Sequence, residues 1–284
     1  MNHQSADLPD KDLSEKIIVV HSSGSGARRS EIAASIGYLL AQTGLNVWLI
    51  DADLYTPTLD YLLKIPITSE KKTLSYFLID EKEKKLPLEL LPVNENKGVL
   101  YLTPSDRNDP DIRFKIQEMV DGASLTCPGS YEDLSGRITS AITKMIDENG
   151  IDYLIIDTNP SFEPINDIWF GMAGIIIMLS RLNGYDEKNL VTMLQTPDIS
   201  DIKRKIVAFA DVSDNIEKVT RDYNNFKQAI DHLSNRDGFF IADNITFSQR
   251  FKLHDAVESL FVKEYPNDLF TKSVMDLLDM TIPR

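Results

Sequence analysis

Seven short runs of apolar residues recur along the chain, and longer segments of mixed apolar and polar residues separate them. The runs lie at residues 17–20, 47–50, 99–103, 154–157, 174–179, 205–209 and 238–242. A continuous apolar run, in contrast to strict alternation, is typical of a strand that is buried on both faces of a parallel sheet. The pattern therefore predicts about seven strands in a mostly parallel sheet, with the runs at 17–20, 47–50 and 154–156 buried at its centre.

Helical periodicity fills the intervals between these runs. One helix face is marked by an apolar stripe that consists of Leu134, Ile138, Ile142, Met145 and Ile146. The same kind of spacing predicts helices over residues 30–43, 131–149, 186–195, 214–235, 248–262 and 272–279. Strands that alternate with helices need crossover connections, so we predict a doubly wound α/β fold of the P-loop NTPase type with three layers, α/β/α.

The chain of 284 residues is long enough for one large α/β core. We expect a polar tail over residues 1–15, followed by a single domain over 16–284 with insertions near 64–96 and 105–131. The first insertion contains a run of charged residues at 80–85, and the second is rich in Asp, Pro and Gly, with a short helix expected over 111–120. Long loops at the strand ends of such sheets are often functional.

Composition argues against several classes of protein. The 30 basic and 44 acidic residues give a formal net charge of −14, which argues against unspecific DNA binding, because such binding depends on phosphate neutralisation by Lys and Arg. No apolar run reaches the roughly 18 residues needed to span a bilayer. The single Cys cannot form an internal disulfide, and the four His residues lack the paired spacing of metal ligands. We therefore expect a cytoplasmic protein.

The most specific pattern lies between residues 16 and 63. A strand at 17–20 enters a short loop that contains glycines, a helix follows as far as Gly44, and a second strand ends in Asp51-Ala52-Asp53. This order of strand, loop, helix and strand is the plan of a nucleotide-binding unit.

The loop at 23–30 has the length of the phosphate-binding pattern GxxxxGK[ST] but departs from it in residue type. Ser23 and Arg28 stand where the pattern has glycines, Arg29 stands where it has lysine, and only the hydroxyl of Ser30 is kept. The glycines of such a loop let backbone N–H groups turn towards phosphate, and the lysine reaches the outer phosphates.

Three blocks carry a resemblance to the ParA/MinD family of P-loop ATPases, whose loop reads xKGGxGK[ST]T. These blocks are the loop with its strand and helix, the sequence Leu40-Ala41-Gln42-Thr43-Gly44 with Ile50-Asp51-Ala52-Asp53 after it, and Tyr153 to Pro160, which is similar to "YDYIIIDTPP". In this register Gly24 takes the place of the signature lysine of the family. The resemblance covers most of the chain.

The resemblance implies that ATP or ADP binds with magnesium, and it implies a homodimer or another protein partner. Asp53 corresponds to the catalytic position of the first switch, and Ser30 and Asp157 correspond to the magnesium site. The nucleotide-binding positions correspond to Gly24, Ser25, Gly26, Ala27, Arg28, Arg29 and Ser30.

The loss of both lysines, at positions 24 and 29, predicts a positioning or assembly scaffold with weak or no ATP hydrolysis. Two alternatives remain open. An active, dimerising ATPase would use Arg29 on phosphate, because a guanidinium group binds phosphate through two hydrogen bonds. A dinucleotide-binding Rossmann protein would use Gly24, Gly26 and Asp51, but Arg29 then occupies the third glycine position, where close packing excludes a long side chain.

Overall fold

The computed structural model describes most of the chain. The described residues are 11–69, 72–80, 82–83, 85–91, 97–106, 128–160, 162–211, 216–234, 238–243, 245–254 and 260–282. The helix expected over 111–120 lies outside them, as does most of the second insertion. Part of the charged run at 80–85 lies outside them as well.

Nine strands are described. They are Ile17–Ser22 (β1), Val47–Ala52 (β2), Glu89–Leu91 (β3), Leu100–Thr103 (β4), Tyr153–Thr158 (β5), Ile175–Ser180 (β6), Arg204–Asp211 (β7), Phe239–Ile241 (β8) and Ile245–Thr246 (β9). Their order is β3-β4-β2-β5-β1-β6-β7-β8, and β9 pairs with β7. Every pairing is parallel except that of β3 with β4. The predicted fold class is confirmed. The pattern missed two strands, β3 and β9, which have three and two residues.

The strands β2, β5 and β1 lie side by side at the centre of the sheet. Ile17 pairs with Leu154, and Tyr153 pairs with Val47, so β5 has a parallel neighbour on each side. All residues of β1 and β2 are buried. The predicted central position of these three runs is therefore confirmed, and their carboxyl ends meet at one edge of the sheet.

Helices cover both faces of the sheet. They are Lys11–Ser14 (α1), Arg29–Gln42 (α2), Leu59–Leu62 (α3), Leu74–Ile79 (α4), Pro128–Asn149 (α5), Pro164–Met172 (α6), Gly184–Met193 (α7), Pro197–Ser200 (α8), Ile216–Ser234 (α9), Gln249–Leu253 (α10), Phe261–Glu264 (α11) and Leu269–Thr281 (α12). Successive residues of β1 join two different hydrophobic clusters, because side chains alternate between the faces of a strand. One cluster contains the apolar stripe of α5, and the other contains the buried faces of α2 and α12.

The single helix predicted over 248–262 is wrong. Two short helices, α10 and α11, lie in this segment, because His254 (φ −69°, ψ 126°) and Leu260 (φ −70°, ψ 123°) have extended backbone angles. The ring centroids of Phe251 and Phe261 are 5.0 Å apart, and those of Phe251 and Phe270 are 4.2 Å apart. Packing of these rings against α12 therefore accounts for apolar positions that the sequence pattern assigned to one helix.

The first insertion contains a packed helix, α4. The hydroxyl oxygen of Thr73 accepts a hydrogen bond from the Tyr76 N–H and so caps the start of this helix. At its other end, the guanidinium group of Arg137 in α5 donates to carbonyl oxygens, among them that of Leu78 at 2.7 Å. Helix α4 is thereby held next to β2 and α5, and the side chain of Phe77 is buried in the hydrophobic cluster beneath it.

Candidate functional site

The carboxyl ends of β1, β2 and β5 bring the loop at 23–30 together with three carboxylates. Asp51 and Asp157 are register partners on neighbouring strands. Both are fully buried, and Asp53, two residues further along, is only 3% exposed. The structure thus places Asp53 and Asp157 next to the loop, and Asp51 lies beside them.

The loop backbone passes twice through the left-handed region. Gly26 has φ 83°, and Arg28 has φ 55° and ψ 32°. A residue with a side chain loses roughly 1–2 kcal/mol in this conformation, which is the reason that phosphate loops favour glycine there. Helix α2 begins directly after Arg28, so the first N–H groups of the helix, which have no acceptor within it, face the loop. The backbone therefore follows a path suited to glycine although the residue is arginine.

The side chain of Arg29 turns inward and bridges two strand ends. Its Nη2 donates to Oδ2 of Asp53 at 2.6 Å, and its Nε donates to Oδ1 of Asp157 at 2.5 Å. The side chain is 8% exposed. Burial opposes its charge, but attraction to Asp157 and Asp53 outweighs burial and raises the pKa of Arg29 above its usual value. Arg29 is therefore a permanent cation held between two carboxylates.

Asp53 has hydrogen bonds on both of its oxygens. Oδ1 accepts from the backbone N–H groups of Thr56 at 2.9 Å and Tyr55 at 3.3 Å. Oδ2 accepts from the Thr56 hydroxyl at 3.0 Å in addition to Arg29. These bonds hold the turn that follows β2, so Asp53 connects this turn to the guanidinium group.

Asp51 binds the backbone at the start of α3, directly after the turn that Asp53 holds. Its Oδ2 accepts from the N–H groups of Thr58 and Leu59, both at 2.9 Å, and so caps the short helix α3. Burial, followed by the negative charge of Asp157, raises the pKa of Asp51 well above its usual value. A fully buried Asp51 does not reach a ribose, so the geometry does not support the dinucleotide-binding alternative.

The other side of the loop packs against an ion pair that the sequence reasoning missed. Nε of Arg181, directly after β6, donates to Oδ2 of Asp186 at 2.6 Å. A Cβ atom added to Gly24 would lie 2.8 Å from Oδ1 of Asp186, and one added to Gly26 would lie 3.4 Å from Nη1 of Arg181. The position of the signature lysine therefore lacks room for a side chain unless Asp186 moves. The available signal was the location of Arg181 at the end of an apolar run.

A cleft of about 290 Å³ lies in front of the loop. Residues 25–31 line one side of it, and Asp53, Thr56, Thr58 and Pro160 line the other. Sites for small molecules typically have volumes of about 300–1,000 Å³, so this cleft is at the lower limit. The side chain of Arg28 is 43% exposed and pairs with Glu31 at 2.8 Å. All of the predicted loop residues except Gly24 line the cleft.

His21 lies beneath the loop as a neutral group. Its Nδ1 is 2.7 Å from the Thr158 hydroxyl oxygen, and its ring meets the ring of Phe170 edge-on. Burial, followed by the positive charge of Arg29, lowers the pKa of His21 to about 3. A neutral, fully buried imidazole suits a packing role, because protonation would place a second cation next to Arg29.

Several solved structures share this fold. A ParA family ATPase from Chlorobium tepidum superposes with a TM-score of 0.66 at 17% identity, covering 93% of this chain and 98% of the other. MinD with Mg-ADP from Pyrococcus horikoshii gives 0.65 at 13% identity, over 94% and 96%. An ATP complex of McdA from Cyanothece gives 0.65 at 20% identity, over 94% and 95%. These likenesses establish the fold.

Sequence comparison gives a distant relative of the same kind. The septum site-determining protein MinD of Thermotoga maritima is 26% identical over 230 residues, which are 81% of this chain and 70% of that protein. The chain is thus similar to ParA/MinD proteins both in sequence and in fold. No family model matches the sequence. Within the part of the chain that the structure describes, no helix has both the length and the apolar character needed to cross a membrane.

The donor set of this site does not fit a magnesium ion between Asp53 and Asp157. Magnesium requires oxygen ligands in near-octahedral geometry, and both carboxylates are already ion-paired with Arg29. The guanidinium charge would also repel a dication. Among the residues that the structure describes, no group of three or more His, Cys, Asp or Glu side chains is arranged to hold a metal. The geometry fits a guanidinium group and not a metal ion.

Proposed function

We propose that the chain is a ParA/MinD-like positioning or assembly scaffold with weak or no ATP hydrolysis. The observation that carries the proposal is the bridge from Arg29 to Asp53 and Asp157. The family resemblance assigns catalysis to the first carboxylate and the magnesium shell to the second. A carboxylate that is bound to a guanidinium group at 2.5–2.6 Å is poorly placed to activate water or to hold a metal.

A scaffold of this kind acts through a protein partner, either a second copy of the chain or another protein. A MinC:MinD complex from Aquifex aeolicus is among the structures with this fold, at a TM-score of 0.63 and 17% identity, which supports a partner protein for the present chain. The net charge of −14 supports a protein over unspecific DNA as the partner. We place this function in the cytoplasm.

A nucleotide that binds without being hydrolysed is the second candidate. The cleft of about 290 Å³ and the left-handed backbone at Arg28 favour it, because the loop keeps a path suited to phosphate. MinD with Mg-ADP and McdA with ATP are among the structures with this fold. ATP or ADP would then lie along residues 25–30, and Ser30 would face the cleft near its outer phosphates.

An active ATPase that uses Arg29 on phosphate is less well supported. Arg29 would have to leave both carboxylates, and taking one partner away from a buried ion pair typically costs about 3–5 kcal/mol. Nucleotide binding would have to supply this free energy before it produced any affinity. The geometry gives no sign of a second position for the side chain, because three guanidinium nitrogens already have partners.

Phosphate release from ATP in the presence of magnesium tests the proposal. We expect the native chain to show no release above the rate measured for Asp53→Ala and Asp157→Ala variants, which lack the two candidate carboxylates. Steady release by the native chain that disappears in both variants would refute the scaffold and establish an ATPase. Circular dichroism of the variants is needed to show that the absence of release does not come from unfolding.

Calorimetric titration with ATP, with and without magnesium, tests the second candidate. The double variant Arg28→Gly/Arg29→Lys restores two residues of the phosphate-binding pattern. Each recovered charge-assisted contact is worth roughly 1.5–3 kcal/mol, so we expect ATP affinity to rise about ten- to a hundredfold. If neither the native chain nor the double variant binds ATP, the nucleotide candidate is excluded.

A further inference from the structure

We propose that Arg29 is a built-in cation that replaces a metal ion and holds the carboxyl ends of β2 and β5 together without any ligand. The inference rests on the proposed function, because a scaffold without hydrolysis needs one fixed arrangement of these strand ends. The inference also assigns a role to arginine at position 29, where the phosphate-binding pattern has lysine. The arginine makes the arrangement of the strand ends independent of a metal ion.

The charge balance of the site makes this cation necessary. Asp51, Asp53 and Asp157 are all buried within one hydrogen-bonded group. A buried charge is strongly unfavourable unless it is paired. Among the described residues, no Lys or Arg other than Arg29 forms an ion pair with any of the three. Without Arg29, Asp53 and Asp157 would lie buried next to Asp51 with no positive charge between them.

The geometry requires arginine in particular. Two different nitrogens, Nη2 and Nε, reach carboxylates on two strands, and a third, Nη1, lies 3.3 Å from the Ser22 hydroxyl oxygen at the end of β1. The planar guanidinium group therefore contacts the ends of β1, β2 and β5 at once. A lysine ammonium is a compact charge on a flexible stem and does not present donors in such a fixed fork.

Removal of the guanidinium group should uncover a metal site. Magnesium is commonly held by one or two carboxylates together with water, and Asp53 and Asp157 would supply those carboxylates once Arg29 has gone. The native chain should then be indifferent to magnesium and to chelators, whereas an Arg29→Met variant should gain stability from magnesium. Arg28→Met is the matched control, since Arg28 is the neighbouring residue and contacts neither carboxylate.

Thermal unfolding of the three proteins, measured without nucleotide in EDTA and in magnesium chloride, tests the proposal. The melting temperature of the native chain should agree between the two solutions within about 1 °C. Arg29→Met should melt roughly 6–20 °C lower in EDTA and regain about 3–6 °C when magnesium is at ten times its Kd. Arg28→Met should melt roughly 1–6 °C below the native chain, and by the same amount in both solutions, because it loses only the contacts with Glu31 and Phe251.

Three results would overturn the proposal. They are a native chain that magnesium alone stabilises, an Arg29→Met variant as stable as the native chain, and a folded Arg29→Met variant that gains nothing from magnesium. If Arg29→Met does not fold, the double variant Arg29→Met/Asp53→Asn tests the proposal instead. The second substitution removes the negative charge of Asp53, which Arg29 no longer balances. The double variant should fold and melt cooperatively, and its failure to do so would show that Arg29 does not act through its charge.

The two proposals fail separately. Phosphate release from ATP by the native chain refutes the scaffold function and is measured by product formation. An effect of magnesium on the native chain without nucleotide refutes the built-in cation and is measured by unfolding. If magnesium alone has no effect on the native chain but the chain releases phosphate from ATP, the proposal for Arg29 stands and the scaffold function is refuted.

Discussion

Arg28 offers a direct test of the loop backbone, because its conformation and its side-chain contacts can be separated. The residue has φ 55° and ψ 32° immediately before α2. Its guanidinium group pairs with Glu31 at 2.8 Å and lies 5.7 Å from the ring centroid of Phe251. Replacement by Gly and by Ala removes both contacts equally, so the difference between the two variants reports on the backbone alone.

The magnitude follows from two backbone contributions, because the two side-chain contacts cancel between the variants. The left-handed conformation costs a residue with a Cβ atom roughly 1–2 kcal/mol, and glycine returns about 0.4–1 kcal/mol of this through the greater freedom of the unfolded chain. Arg28→Gly should therefore be more stable than Arg28→Ala by about 0.5–1 kcal/mol. The exposed ion pair is worth about 0.2–0.5 kcal/mol and the contact with the ring about 0.5–1 kcal/mol, and both variants lose them.

Urea unfolding followed by circular dichroism measures this difference. A Gly and Ala pair at Asp147, an exposed position inside α5, is the matched control, because in a right-handed helix Gly should be less stable than Ala by about 1 kcal/mol. The order of the two residues should therefore reverse between positions 28 and 147. If Ala is as stable as Gly at position 28, the left-handed backbone and the retained phosphate-loop path are both refuted.

The remaining predictions concern buried groups around the loop. The pKa of Asp51 is raised in the folded state, so its ionisation favours unfolding as pH rises above about 4, and Asp51→Asn should gain stability relative to the native chain as pH rises from that value in urea unfolding. A loss of relative stability over that range would contradict this. The pKa of His21 is lowered to about 3, so the unfolded chain takes up its proton first and stability falls as pH drops below about 6.5. The ring signals of His21 in NMR spectra should accordingly not titrate between about pH 7.5 and 4.5. Gly24→Ala should cost about 1–3 kcal/mol and lose much of this cost in an Asp186→Ala background, whereas additive effects would contradict the close packing.

The elements of this fold could be predicted because each strand is a run of apolar residues that suits burial on both faces. The run at 154–156 indicated a central strand, and β5 lies between β2 and β1. The segment at 248–262 shows the limit of such reasoning. Its apolar positions fit a helix, but the rings of Phe251, Phe261 and Phe270 pack together and the backbone at His254 is extended. Packing against another element decided that conformation.

The sequence predicted which residues lie near the loop, but it did not predict the contacts between their side chains. The loop, Asp53 and Asp157 were expected at one edge of the sheet, because the carboxyl ends of parallel strands meet there. The partners of Arg29 did not follow from the sequence, since Asp157 is 128 positions away and phosphate was an equally reasonable acceptor. The ion pair of Arg181 and Asp186 was missed because neither residue belongs to a motif.

The amino-acid sequence by itself determined the order of strands and helices, the burial of the central sheet and the departure of the loop from the phosphate-binding pattern, since all of these depend on local residue type. Only the tertiary structure decided that Arg29 points inward. The direction of a long side chain depends on which charges the folded chain brings within its reach. In this protein, parallel pairing of β2 and β5 sets two buried carboxylates around one guanidinium group.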